Sequence, residues 1–302
     1  MARLRSLRAP SLLALAAALM LGGCGGSSPA SGAAAGSSGG KKSAKGAITV
    51  TPGGGRGATH PPVATRTVPA LIAPTGAHAN SVHVPVLTYH RVVPLSAVGL
   101  TDLKVEPANF VAELAVLQAG GYHTISQAQL FDALYKGGKL PPRPVVISVD
   151  DGYVDDIRTI LPDLERFHMT ATFFVITGRM TEPGFLTADQ IRQLDRAGMD
   201  VGDHTAHHVD LRLLTAAQLS SETAGSKHVL EGVLGHPVYY FAYPFGAYND
   251  SVVSAVRAAG FTMAYSTAGG TTESTSAPLT MPRVHVGRAE TPSGLVSLLG
   301  GA

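Results

Sequence analysis

Short apolar runs rich in β-branched and aromatic residues alternate with amphipathic helical stretches from Val84 to Val286, and this alternation constrains the fold most. Strands are expected at 84–89, 145–149, 170–176, 199–202, 239–242, 262–265 and 283–286. Helices are expected at 107–118, 126–135, 157–167, 250–259 and 292–299. Two more open at the capping pairs Thr187 with Gln190 and Thr215 with Gln218. The run Val145-Val146-Ile147-Ser148-Val149 is apolar at nearly every position, as a strand covered on both faces should be. Strands alternating with helices imply parallel βα units. With polar residues at several strand ends, about seven such units predict one (β/α) barrel carrying its site on the C-terminal rim. An open doubly wound sheet is the competing α/β arrangement. No Gly-rich phosphate loop follows a strand, which weakens that alternative.

Composition divides the chain into three parts. Residues 1–24 read as an export signal: Arg3, Arg5 and Arg8 precede a short apolar core, too short to span a bilayer. It ends in Leu21-Gly22-Gly23-Cys24, which resembles a lipobox and makes Cys24, the chain's one cysteine, the expected lipid anchor. An ordinary signal with an incidental cysteine is the alternative. A single cysteine also excludes an internal disulfide or a thiolate metal site, leaving metal chemistry to His and Asp. Residues 25–80 are mostly Gly, Ser, Ala, Pro and Thr, with a few basic residues and no acid. Such a segment buries too little apolar surface to offset its ordering entropy, so a disordered tether is expected there. Residues 81–302 form the expected catalytic domain. Eight of the 23 basic residues precede it, so it holds 15 against all 21 acids and is mildly acidic. That balance argues against nucleic acid as a partner, and no obligate protein partner is implied. The expected location is the exported face of the cell envelope, membrane-held through Cys24 or secreted if that residue carries no lipid.

Two polar motifs interrupt this pattern. Asp150-Asp151-Gly152 closes the second strand, and His204-Thr205-Ala206-His207-His208 follows the fourth. A carboxylate leaving a strand end and two imidazoles four residues apart can make a three-ligand site with an open position, as a catalytic zinc has. Neighbouring residues of a regular strand point to opposite faces, so both aspartates can serve one site only where the backbone turns, a freedom Gly152 supplies. Taken singly, Asp-Asp-Gly is also a plain turn and the histidines ordinary surface residues. His204 with His208 fits the helical i, i+4 spacing, with His207 left as a neighbour or an alternative ligand. His₂Asp suits zinc best, although cobalt, nickel or iron fits the same donors.

These motifs resemble those of the polysaccharide deacetylase family, the chitooligosaccharide deacetylase-like carbohydrate esterases. Ser148-Val149-Asp150-Asp151-Gly152 is similar to the family's Thr-Phe-Asp-Asp-Gly, and the histidine cluster to its His-Ser/Thr-x-x-His. Phe241-Ala242-Tyr243-Pro244-Phe245-Gly246 is similar to the third motif in its Tyr-Pro form, and Leu87-Thr88-Tyr89-His90-Arg91 opens the domain in the same style. The resemblance implies a distorted barrel that removes N-acetyl groups from sugar polymers with a divalent metal. It implies Asp150 as general base and Asp151, His204 and His208 as ligands. Tyr243, Pro244, Phe245 and Gly246 would line the acetyl groove, with the Phe245 N–H in the oxyanion hole.

Two positions depart from the family pattern. Ala242 stands where many relatives carry an arginine that holds the catalytic aspartate; Arg283 can reach Asp150 from the last strand or make a surface ion pair. The Leu-x-His motif that supplies the acid is absent. His285, which shares a strand face with Arg283, is the candidate acid, and His90 is a second rim residue. The expected function is removal of N-acetyl groups from an envelope polysaccharide, with poly-N-acetylglucosamine favoured by the Tyr-Pro branch. The alternatives are a non-catalytic glycan-binding lipoprotein on a decayed fold and a metal-dependent small-molecule amidase or esterase.

Overall fold

The computed structural model describes residues 70–71 and 80–299. The expected signal, Cys24 and nearly all of the tether lie outside them. Leu71, expected within the tether, is instead buried against the inner core, so the folded region reaches back past Ser81. Its side chain finds an apolar cluster to join, which the composition average of the tether conceals.

Seven parallel strands form the main sheet: β1 Val86–Tyr89, β2 Pro144–Asp151, β3 Thr172–Val175, β4 Asp200–Asp203, β5 Tyr240–Ala242, β6 Met263–Tyr265 and β7 Val284–His285. Their spatial order is β6-β5-β4-β3-β2-β1-β7, every pair parallel. The sheet curls into an incomplete barrel. Tyr265 bridges Met281, and the Arg283 N–H donates to the Ala268 carbonyl just before β7 pairs with Leu87 and Thr88. The run from Met281 to His285 thus leaves one edge of the sheet and joins the other, which an open doubly wound sheet would not do.

Period-2 alternation sorts the side chains. Val86, Val146, Phe174, Ala242 and Tyr265 belong to the cluster that fills the barrel. Leu87, Ile147, Val149, Phe173 and Phe241 face outward into a second cluster beneath the helices. There Pro107–Ala119 contributes Phe110, Leu114 and Leu117, the face its spacing predicts. Ser126, Thr187 and Thr215 each make a reciprocal capping box, with Gln129, Gln190 and Gln218. The expected helix 157–167 begins as a π-helical turn, Asp156–Ile160, before the α-helix Leu161–Arg166. The long helix after Thr215 likewise carries a π-turn, Ser221–Gly225. Small additions were not expected: Ser81–His83 pairs antiparallel with Thr272–Ser274, Arg91–Val92 pairs with Lys104–Val105, and His123–Thr124 lies on β2.

Candidate active site

The strand alternation carries straight into the site. Val146 and Ser148 point into the barrel, and so does Asp150, two residues further along β2. Asp151 would point outward, but its φ of 79° turns it back to the rim, and Gly152 continues the turn at 72°. A non-glycine residue in the left-handed region is uncommon, and such conformations concentrate at functional sites. The turn therefore begins at the second aspartate itself, one residue earlier than the sequence implies.

His204 follows β4 and is fully enclosed, its Nδ1–H donating to the Ala242 carbonyl at 2.7 Å. This bond fixes the tautomer and leaves Nε2 as a lone pair. The stretch from His204 to His208 is not helical, contrary to the spacing argument. Thr205 and His208 adopt φ of 68° and 53°, and these two turns bring the imidazoles together with ring centroids 4.8 Å apart. The Asp203 carboxylate accepts the Thr205 N–H, and the Thr205 hydroxyl accepts the His208 N–H, pinning the loop.

Asp151 Oδ1 lies 3.6 Å from Nε2 of both His204 and His208. It is buried with no hydrogen-bond partner. Donor atoms of the three residues all lie within 4.8 Å of one another. One orphaned carboxylate oxygen facing two imidazole nitrogens, at least one a fixed lone pair, is a donor set that fits a divalent cation. Burial, then the charge of Asp150, pushes the Asp151 carboxyl up to about 7. Burial lowers His204 to about 3 and also lowers His208, so both imidazoles are neutral and available as donors.

Asp150 is only 2% exposed, yet lines the groove. Arg283 donates to both its oxygens, at 2.8 and 2.7 Å, from inside the barrel. The Arg283 Nε–H is itself held by the Ser266 carbonyl at 3.1 Å. Burial works to raise the Asp150 pKa, but the charge and hydrogen bonds of Arg283, together with His204 and His90, hold the carboxyl well below the usual carboxylate range. Of the two readings of Arg283, the structure selects the clamp on Asp150, so the arginine absent at Ala242 arrives from the position just before β7.

His285 and His90 face the same groove, with ring centroids 5.7 Å apart. Burial lowers His90 to about 4, leaving it neutral. Phe245 is 63% exposed at φ 59°, and its ring meets His208 edge to face at 4.6 Å. Tyr243 is enclosed, its hydroxyl donating to the Leu279 carbonyl at 2.8 Å, so that group is committed to packing. Pro244 is buried and does not line the groove, whereas Gly246 does. His207 stands apart from the triad, bound to Glu222, a partner fifteen residues away that sequence reasoning missed. Apart from Pro244, these groups line one groove of about 540 Å³.

A family model for polysaccharide deacetylases matches residues 137–264, the span that carries Asp150, Asp151, His204, His208 and the Tyr-Pro loop. Over that span the chain carries a polysaccharide deacetylase domain, and the proteins it is similar to include named polysaccharide deacetylases. The Streptococcus pyogenes deacetylase PplD, solved with acetate, superposes with a TM-score of 0.67 at 27% identity, covering 73% of this chain and 99% of its own. YxkH of Bacillus subtilis, provisionally named a polysaccharide deacetylase, is 28% identical over 202 residues, 67% of this chain and 71% of its own. The poly-β-1,6-N-acetyl-D-glucosamine N-deacetylase of Staphylococcus aureus is 25% identical over 207 residues, 60% of this chain and 70% of its own.

Proposed function

We propose that this chain is a metal-dependent N-deacetylase of a polysaccharide built on N-acetylglucosamine, exported and held at the envelope through Cys24. One observation carries the reading: an ionised carboxylate clamped by a buried arginine stands beside a separate Asp-His-His triad. The S. aureus relative, named for poly-N-acetylglucosamine, supports that polymer as substrate.

In this mechanism Asp151, His204 and His208 hold the cation, and His₂Asp with an open face favours zinc. When bound, the cation supplies Lewis acidity to the amide carbonyl and to the attacking water. Arg283 keeps Asp150 ionised and fixed, and two of its roughly four lone-pair sites stay free to accept the water proton. The Phe245 N–H is the oxyanion donor. The C–N bond then breaks, acetate leaves, and the amine departs with a proton. His285, which lines the groove beside His90, is the assigned donor.

The test is acetate release from β-1,6-linked N-acetylglucosamine oligomers by the full chain, stripped of metal and then supplied with zinc. Zinc-dependent release supports the reading. No release from these oligomers or from peptidoglycan, with metal bound, would sink it.

A further inference from the structure

Three consecutive strand tips, those of β2, β3 and β4, form one arc of the groove, and each offers a polar side chain fastened from behind. The first is Tyr153. The Arg91 guanidinium lies 4.4 Å from its ring centroid, and Phe185 stacks on it at 4.7 Å. Two groups that size cannot share a face, so both faces are taken and the ring turns its edge to the groove. The second is Arg179, whose guanidinium lies 4.7 Å from the Phe185 centroid and ends the column Arg91–Tyr153–Phe185–Arg179. The third is His207, whose Nδ1–H donates to Glu222 at 2.6 Å while its backbone N–H donates to the same carboxylate at 2.9 Å.

The two ends of the column differ. Arg91 meets Asp155 at 2.9 Å and is four-fifths enclosed, a structural arginine. Arg179 is 41% exposed and meets Glu182 only at 3.8 Å, leaving most of its five donors unspent. The 177–179 turn is tied to the histidine loop by Gly178 N–H to the Ala206 carbonyl at 2.9 Å, so Arg179 and His207 are neighbours. Across the groove, β5 and β6 supply Phe245 and Thr267, with Leu100 beyond, a more apolar boundary.

We propose that Tyr153, Arg179 and His207 form a polar wall that binds the hydroxyl edge of the polysaccharide, with Arg179 as the chief specificity-determining residue. A pyranose has a hydroxyl-bearing edge and a C–H face. In this groove the edge meets the N–H donors of Arg179, the hydroxyl of Tyr153 and the Nε2 lone pair of His207, and the C–H face meets the exposed Phe245 ring. The inference deepens the deacetylase reading by assigning the residues that choose a sugar over another acetylated compound.

The test uses the full chain with zinc and the substitution Asp150→Asn, which blocks turnover. Binding of a β-1,6-linked N-acetylglucosamine tetramer is titrated with and without further substitutions in the wall. Arg179→Ala weakens binding about tenfold or more, Tyr153→Phe about threefold, and Arg179→Lys recovers part of the loss. Thermal unfolding of each variant checks that the groove is intact. Arg179→Ala binding within about twofold of its parent overturns the proposal, as does a parent that binds no oligomer. Tight binding with no acetate release by the unsubstituted chain overturns the deacetylase reading and leaves the wall standing.

Discussion

Arg283, immediately before β7, grips both oxygens of Asp150, four strand positions round the sheet order from the histidine loop of β4. The pair is buried on both sides, Arg283 being 3% exposed. Breaking such a pair leaves an uncompensated charge in a low-dielectric interior. Arg283→Ala should therefore cost about 3–5 kcal/mol of stability. Catalytic rate should fall about 10²-fold or more, since the base loses its orientation. Urea unfolding and acetate release check the two losses; a variant as stable and active as its parent contradicts the clamp.

Metal should stabilise the fold as well as activate it. Asp151, His204 and His208 gather their donor atoms only in the native state. A ligand that binds only that state stabilises it by about 2.7 kcal/mol at a hundredfold excess over Kd. Chelation should lower Tm and zinc should restore it, read by calorimetry. The Tm of His204→Ala should not respond to zinc.

Glu113 predicts a pH effect remote from the site. Burial raises it to about 7, against a hydrogen bond from the Tyr89 hydroxyl at 3.1 Å. Its folded pKa lies above the unfolded one, so its stabilisation is full below about pH 4.5 and is lost as pH rises through about 7. Glu113→Gln should gain on the parent across that window by about 3 kcal/mol. The lowered pKa values of His90 and His204 act in the opposite sense, so the difference between variant and parent is the readout. A constant gap from pH 4.5 to 8 contradicts the assignment.

Gly246 takes φ 65°, and a Cβ there would fall on the backbone N and the hydroxyl of Thr267. Gly246→Ala should destabilise by about 1–3 kcal/mol. It should also lower kcat by moving the Phe245 N–H. Unchanged kinetics would remove this loop from the oxyanion site.

Much of this was legible in the chain. Short apolar runs located all seven strands, because a strand buried on both faces leaves a near-continuous apolar signature. The triad residues could be named from spacing and resemblance, but their convergence depends on positive φ at Asp151, Thr205 and His208, which side-chain chemistry does not announce. The partnership of His207 with Glu222 joins a loop to a helix, and the column through Tyr153 and Phe185 joins two separate loops. They have no local pattern to betray them. Arg283 was visible as a candidate because Ala242 stands where many relatives carry an arginine; its reach to Asp150 follows from the order that brings β7 beside β1, one strand from β2.

The central claim is that adjacent aspartates divide the labour, Asp150 moving the proton and Asp151 holding the cation. Metal content and acetate release measured together on Asp150→Asn and Asp151→Asn test it most directly. The account predicts that Asp150→Asn keeps its zinc and loses about 10²–10⁴-fold in turnover, while Asp151→Asn loses the zinc itself. Turnover surviving in Asp150→Asn, or full zinc retention in Asp151→Asn, would contradict it.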